Sequence, residues 1–174
     1  MSNNQKIMIR PIQEGDVDLI YDYFLSHSEE TKRFFTPHAM DRACAEWLTQ
    51  EDRLDPDTHR FVAVKTDAGA ETIVGYVFFW KWTKMVPWFG IAVRDGYKGQ
   101  GLGTLMMQHA IDEAKKHHKG GILLTTATDN VRAQALYRKF GYEIIGKDER
   151  GEYLMILNFP DTLMTSNDNT RTTS

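Results

Sequence analysis

Residues 96–104 read Gly-Tyr-Lys-Gly-Gln-Gly-Leu-Gly-Thr, with glycines at alternate positions 99, 101 and 103. An apolar run, WFGIAV, leads into this stretch, and a helical run, LMMQHAIDEAKKHH, leads out. Every glycine raises the entropy lost on ordering the chain, so a strand-to-helix corner built this way calls for a reason. One reason is anion binding. A helix N-terminus carries unpaired N–H groups and partial positive charge. Glycines let those amides curl around an oxyanion with no Cβ in the way. Gly99, Gln100, Gly101, Leu102, Gly103 and Thr104 are then candidates to cradle a phosphate or pyrophosphate, with the Thr104 hydroxyl adding a donor. The other reason is a tight turn that holds nothing, and spacing alone leaves both open. Two common phosphate motifs are excluded. A Walker loop needs a lysine before its Ser/Thr, where this chain has Gly103, and a dinucleotide fingerprint needs a glycine where it has Thr104.

A second stretch with chemical potential is NVRAQALYRKFGY, residues 130–142. Its apolar residues Ala133, Leu136, Tyr137 and Phe140 fall in helical register, and an aromatic in such a stripe is ordinarily core. Asn130, just ahead of the stripe, suits an N-cap. Cys44 is the only cysteine. It permits no intrachain disulfide, fits a reducing compartment, and on a predicted helix reads as buried filler rather than as an acyl carrier. His109, His117 and His118 lack metal-ligand spacing with carboxylates, and no His-Glu-x-x-His occurs, so no metal is expected.

Taken together, GIAVRDGYKGQGLGTLM and NVRAQALYRKFGY resemble the GNAT superfamily of acetyl-CoA-dependent N-acetyltransferases. The marks are Gln/Arg-x-x-Gly-x-Gly/Ala, then Asn-x-x-Ala-x-x-x-Tyr before a Gly-aromatic pair. The second is complete here in Asn130, Ala133, Tyr137, Gly141 and Tyr142, and the first departs only at Lys98. Lysine keeps the positive charge and loses the planar fork. The opening IRPIQEGD also fits the family's first strand, and the resemblance covers roughly residues 7–158, nearest to ribosomal-protein N-terminal acetyltransferases. It implies acetyl-CoA as co-substrate, with the backbone of Ile91, Ala92 and Val93 pairing with the pantetheine arm like an added strand. It also implies that the amides of residues 99–104 hold the pyrophosphate, that Asn130 hydrogen-bonds the arm, and that Tyr137 points at the thioester sulfur as the acid. A strand amide from Val93 or a neighbour would stabilise the oxyanion.

The general base is missing from the places where related enzymes carry a glutamate. Those positions are Trp88 and Thr125 in this chain. Glu29, Glu30 and His38 are the remaining candidates. A weak base favours an acceptor of low pKa. An α-amine, near 8, is about one-tenth neutral at pH 7, whereas a lysine amine near 10.4 is neutral less than about one time in a thousand. The expected activity is direct acetyl transfer to a primary amine, either a peptide α-amine or a small-molecule amine. The alternative is an acyl-CoA-sensing domain with little or no catalysis.

The elements that must position these groups follow from periodicity. KIMIRPI reads as a strand, and Asp16 as the cap of a helix through Val17, Ile20, Phe24 and Leu25. A long connection, SEETKRFFTPHAM, leads to a helix through Ala43, Trp47 and Leu48. RFVAVKT, TIVGYVFFWKW and MVPWFGIAV read as strands, the last two joined by a turn near Thr83-Lys84. Half of the aromatics at 78–89 should be core and half should face the other way. The helix after Gly103, the strand ILLTTAT, the helix at 131–140, and the strands YEIIGK and EYLMILNF complete the chain. The order β-α-α-β-β-β-α-β-α-β-β implies an α/β (α+β) fold, GNAT-like, with a mixed, mostly antiparallel sheet and about four helices. One domain over residues 1–160 and a polar, flexible tail at 161–174 are expected. A net charge of −3 offers no nucleic-acid footprint. No run is long enough to span a membrane, and the N-terminus lacks a signal-peptide core, so the expected location is cytoplasmic. A homodimer, joined through the last strand, is a candidate assembly.

Overall fold

The computed structural model describes residues 7–160, without the side chains of residues 51–53; the tail expected at 161–174 lies outside the described residues. The strands are β1 (Ile7–Pro11), β2 (Thr58–Asp67), β3 (Ala70–Trp80), β4 (Trp88–Val93), β5 (Gly121–Thr126), β6 (Glu143–Lys147) and β7 (Tyr153–Asn158). The helices are α1 (Val17–Leu25), α2 (Glu29–Phe34), α3 (Arg42–Leu54), α4 (Leu102–Lys116) and α5 (Val131–Lys139). They form one sheet in the order β1-β2-β3-β4-β5-β7-β6. Neighbours are antiparallel except β4 and β5, which run parallel.

The sheet is buried on both faces, which is why β2 and β3 read as nearly unbroken apolar runs. On one face Phe61, Val77, Phe79 and Leu124 pack on Met106, Met107 and Ala110 of α4. On the other, Val62, Val64, Tyr76 and Phe78 pack on Ile20, Tyr23 and Phe24 of α1 and on Ala45 and Leu48 of α3. Neither side of the aromatic hairpin is therefore a solvent face along most of its length. Trp80 and Trp88 end the row as a parallel pair, 6.2 Å between centroids.

Four expectations change. Glu29–Phe34 is a fifth helix inside the stretch read as a connection. Ser28 caps it by accepting the Thr31 N–H at 3.2 Å. Asp16 does not cap α1 with its side chain. Its carboxylate turns back to take Arg10 in a two-pronged pair, at 2.7 and 2.8 Å, and the Gln13 N–H at 2.8 Å. A two-pronged guanidinium pair outcompetes a cap bond because both partners are charged and planar. Leu25 stands 65% exposed, and Tyr23 fills the core position instead. Finally, β7 pairs with β5 on one side and β6 on the other, so it offers no free edge to a partner.

Candidate functional site

β4 and β5 share only one paired position, Trp88 with Leu123. Beyond it the two parallel strands splay, and a slot opens between their C-terminal ends. The antiparallel ladder with β3 sets which way the polar groups of β4 point. Arg94 N–H donates to Val74 C=O at 2.8 Å. Backbone direction alternates along an antiparallel strand, so Gly90 and Ala92 face β3, and Ile91 and Val93 face the slot. Ala92 C=O also accepts the Tyr23 hydroxyl at 3.0 Å.

The slot widens into a cavity of about 400 Å³. Ile91, Ala92, Val93, Gly99, Gly101, Gly103, Thr104, Asn130 and Tyr137 line it. Two of the sequence candidates do not. The Gln100 amide turns away to donate to Gly96 C=O at 2.9 Å, and Leu102 is 4% exposed, anchored in the core. Their side chains are elsewhere, while the Leu102 N–H belongs to the open first turn of α4.

The three glycines serve different ends. Gly99 and Gly101 adopt left-handed φ of 77° and 83°, where a side chain is strained. A Cβ on Gly103 would meet Leu136 of α5 at 3.3 Å. The first bond into the helix runs from Leu105 N–H to Gly101 C=O at 3.0 Å. The N–H groups of Leu102, Gly103 and Thr104 therefore have no carbonyl of their own helix to reach. Arg132 lines the cavity beside Gly99, and Lys139 Nζ lies 3.4 Å from Thr104 Oγ1. Free amides, a helix dipole and two cations give this corner a strong preference for negative charge.

Asn130 caps α5, its Oδ1 accepting the Ala133 N–H at 3.3 Å. It also lines the cavity, so both sequence readings of Asn130 are compatible. Tyr137 is 7% exposed and likewise reaches the cavity from α5. Burial pushes its phenol well above the ordinary tyrosine range, so the hydroxyl stays neutral.

The opposite wall comes from α2, which sequence reasoning missed. Glu30, Thr31, Phe34 and Phe35 line the cavity from that side. Asp95, just past β4, fastens the start of α2. It accepts the Ser28 N–H at 2.7 Å and the Thr31 hydroxyl, and it pairs with Lys98. Burial works against the charge on Asp95, but the bonds from Lys98, Thr31 and Ser28 outweigh it and hold the carboxyl well below the usual carboxylate range. Lys98, the one departure from the glycine motif, is thus occupied by Asp95 and Thr31. Arg33 reaches across the slot to Asp129, next to Asn130. Helix α2 therefore straps the mouth, tied to the end of β4 on one side and the loop after β5 on the other.

Of the base candidates, only Glu30 lines the cavity. Glu29 pairs with Lys32 at 2.8 Å. His38 packs at tilted and edge-on angles among Phe24, Tyr76 and Phe78, with its Nδ1 3.3 Å from Cys44 Sγ. Cys44 does not line the cavity, which removes it from any acyl relay. The one sequence signal for this wall was the cap pattern Ser-Glu-Glu-Thr at 28–31.

The chain matches the acetyltransferase (GNAT) family over residues 21–142. It is 28% identical over 114 residues to a streptothricin acetyltransferase of Streptomyces lavendulae, covering 61% of this chain and 60% of that enzyme. It is 25% identical to a putative ribosomal protein bS18-alanine N-acetyltransferase of Bacillus subtilis, covering 79% of this chain and 82% of the relative. Among solved structures, the spermidine N-acetyltransferase of Vibrio cholerae in complex with CoA and spermine superposes with a TM-score of 0.72 at 19% identity, over 92% of this chain and 99% of that one. At that identity the likeness is one of fold. No helix among the described residues is long and apolar enough to cross a membrane.

Proposed function

The chain belongs to the GNAT acetyltransferase family, and from that premise we propose that it transfers an acetyl group from acetyl-CoA directly to a primary amine. The observation that carries this reading is one cavity holding both the open amides of the α4 corner and the buried phenol of Tyr137. The residues fit the co-substrate by chemistry. The Leu102, Gly103 and Thr104 amides, with Arg132, suit a pyrophosphate, and the slot-facing edge of β4 suits an amide-bearing arm laid alongside it.

In this reading the Ile91 and Val93 N–H groups are the donors available to the thioester carbonyl as its oxygen gains charge. Tyr137 gives its proton to the departing sulfur and regains one from solvent. Glu30 attracts the acceptor ammonium and takes up the proton it releases. The amine lone pair forms the new C–N bond as the C–S bond breaks, so no acyl-enzyme is needed.

The acceptor class follows from the scarcity of bases. A single exposed carboxylate favours amines already partly neutral, so α-amines of peptides or low-pKa amines of small molecules come before lysine side chains and polyamines. The two relatives named for streptothricin and for a ribosomal protein's alanine bracket that class. Location in the cytoplasm belongs to the same proposal. A second reading, an acyl-CoA sensor with little turnover, is favoured by Trp88 and Thr125 standing where a base glutamate is expected.

Calorimetry with acetyl-CoA followed by an acceptor screen separates these. Binding plus turnover on alanine-initiated peptides or streptothricin supports transfer. Binding without turnover on any amine supports the sensor, and faster turnover on lysine side chains than on α-amines overturns the acceptor class. No binding of acetyl-CoA or CoA removes both readings.

A further inference from the structure

On the helix face away from the glycine corner, three potential ligands converge from two elements. Glu113 lies in the last turn of α4, His117 is the residue that caps that helix's C-terminus, and His59 comes from β2. His59 Nε2 is 3.3 Å from Glu113 Oε1, and His117 Nε2 is 3.0 Å from the same oxygen. All three donor atoms fall within 4.8 Å of one another. None of the three lines the acetyl-CoA cavity. The geometry points to a binding site for a first-row divalent transition metal, with zinc as its simplest occupant, held by His59 Nε2, Glu113 Oε1 and His117 Nε2.

Ligands about 2.05 Å from a tetrahedral zinc stand about 3.3 Å from one another. Two of the three edges here already match that spacing. The third closes by a small swing of His117, whose side chain is 45% exposed and can turn. The other two ligands are held. The His59 ring lies edge-on to Phe61 at 4.5 Å and against Trp82 at 4.9 Å. Glu113 is 14% exposed in its side chain, fixed on a helix whose apolar face is in the core. Two imidazoles and one carboxylate are a donor set for zinc, cobalt or nickel, whereas calcium and magnesium require shells of oxygen. Both Nε2 atoms point at the one carboxylate oxygen, and a bound cation would sit among the three atoms with each ring carrying its proton on Nδ1. The expectation that His117 lacks a carboxylate at ligand spacing is corrected here: Glu113 is four residues before it, and the third ligand is 54 residues before Glu113, out of reach of any local motif.

Such an ion would clamp β2 to the C-terminal half of α4, and a fourth position would remain for water. The test uses the full chain without a polyhistidine tag, stripped with chelator, and zinc chloride alone as the probe. One ion per chain with micromolar affinity is expected, together with a rise in Tm and, with cobalt, visible bands of a tetrahedral site. His117→Ala and Glu113→Gln should each weaken binding at least tenfold and abolish the Tm rise. His118→Ala, one residue along, should bind as the parent does. His117 is on the surface, so its variant keeps the fold and circular dichroism verifies that. Absence of stoichiometric binding, or equal binding by the parent, His117→Ala and Glu113→Gln, overturns the site.

Discussion

The two walls of the cavity are made by opposite means. The β4–α4 wall is built from backbone: positive-φ glycines, open amides and a strand edge whose polar groups face the slot. The α2 wall is built from side chains: two phenylalanines, Glu30, and ties from Asp95 and Arg33. Backbone donors are rigid and indifferent to side-chain identity, which suits a co-substrate that never changes. A six-residue helix held by a few polar ties can be altered residue by residue, which suits an acceptor that differs among relatives. The functions of the two walls should therefore separate under mutation.

The largest expected effect is at the backbone wall. Gly101→Val places a β-branched side chain at φ 83°, facing open space rather than protein. The strain should lower stability by about 1–2 kcal/mol, and acetyl-CoA affinity should fall at least about 100-fold because the amides can no longer curl around the anion. Calorimetry with circular dichroism checks both. Parent-like acetyl-CoA affinity in Gly101→Val would break the comparison at its first term.

Next comes Tyr137→Phe. Its hydroxyl is assigned to the chemical step alone, so kcat should drop about 10- to 100-fold with the acetyl-CoA Kd changed less than about twofold. Unaltered turnover removes the acid role. A lost Kd with unaltered kcat would move Tyr137 from chemistry to binding.

The third effect sharpens the contrast. Asp95→Asn leaves every glycine in place but loosens the start of α2. Acceptor KM should rise about five- to tenfold while acetyl-CoA binding stays within about twofold, consistent with the loss of one or two charge-assisted bonds at a partly exposed site. Arg33→Ala should act in the same direction and more weakly, since the Arg33–Asp129 pair is solvent-exposed. Equal losses in both substrates would show that the two walls are one mechanical unit.

The same contrast explains what could be read from the sequence. Strands, order of elements and the α4 corner were legible because their signals are local: alternation, glycine spacing, a cap one turn ahead of a stripe. The register of Tyr137 and the capping of α5 by Asn130 were legible for the same reason. Helix α2 was not. It has six residues, no amphipathic stripe long enough to show a period, and Pro37 soon after its end. Its stabilising partners lie far along the chain, Asp95 some 67 residues from Ser28 and Asp129 some 96 from Arg33. Asp16 failed as a cap because Arg10, on the neighbouring strand, was the stronger competitor. Local grammar finds what the backbone does by itself and misses what distant side chains arrange.

The smallest effect concerns pH and falls on the side-chain wall alone. His27, at the end of α1, packs edge-on against Tyr23 at 4.5 Å and Phe35 at 6.2 Å. It is 4% exposed, and its Nε2 is buried with no hydrogen-bond partner among the described residues. Burial lowers its pKa to about 4, against about 6.5 in an unfolded chain. Between those values the unfolded chain binds the extra proton and the folded one does not, so stability rises with pH across that window. His27 should favour the fold fully above pH 6.5, lose that contribution as pH falls toward 4, and lose nothing further below. Thermal melts from pH 7 to 4 should show Tm falling by several degrees in the parent, with a shallower slope in His27→Phe, which keeps the ring contacts and removes the proton site. Because Phe35 belongs to the α2 wall, acceptor KM should drift upward at low pH before acetyl-CoA affinity does, and in His27→Phe that lead should vanish. An identical pH slope in parent and variant would place the acid sensitivity elsewhere and leave the two walls equally robust to protons.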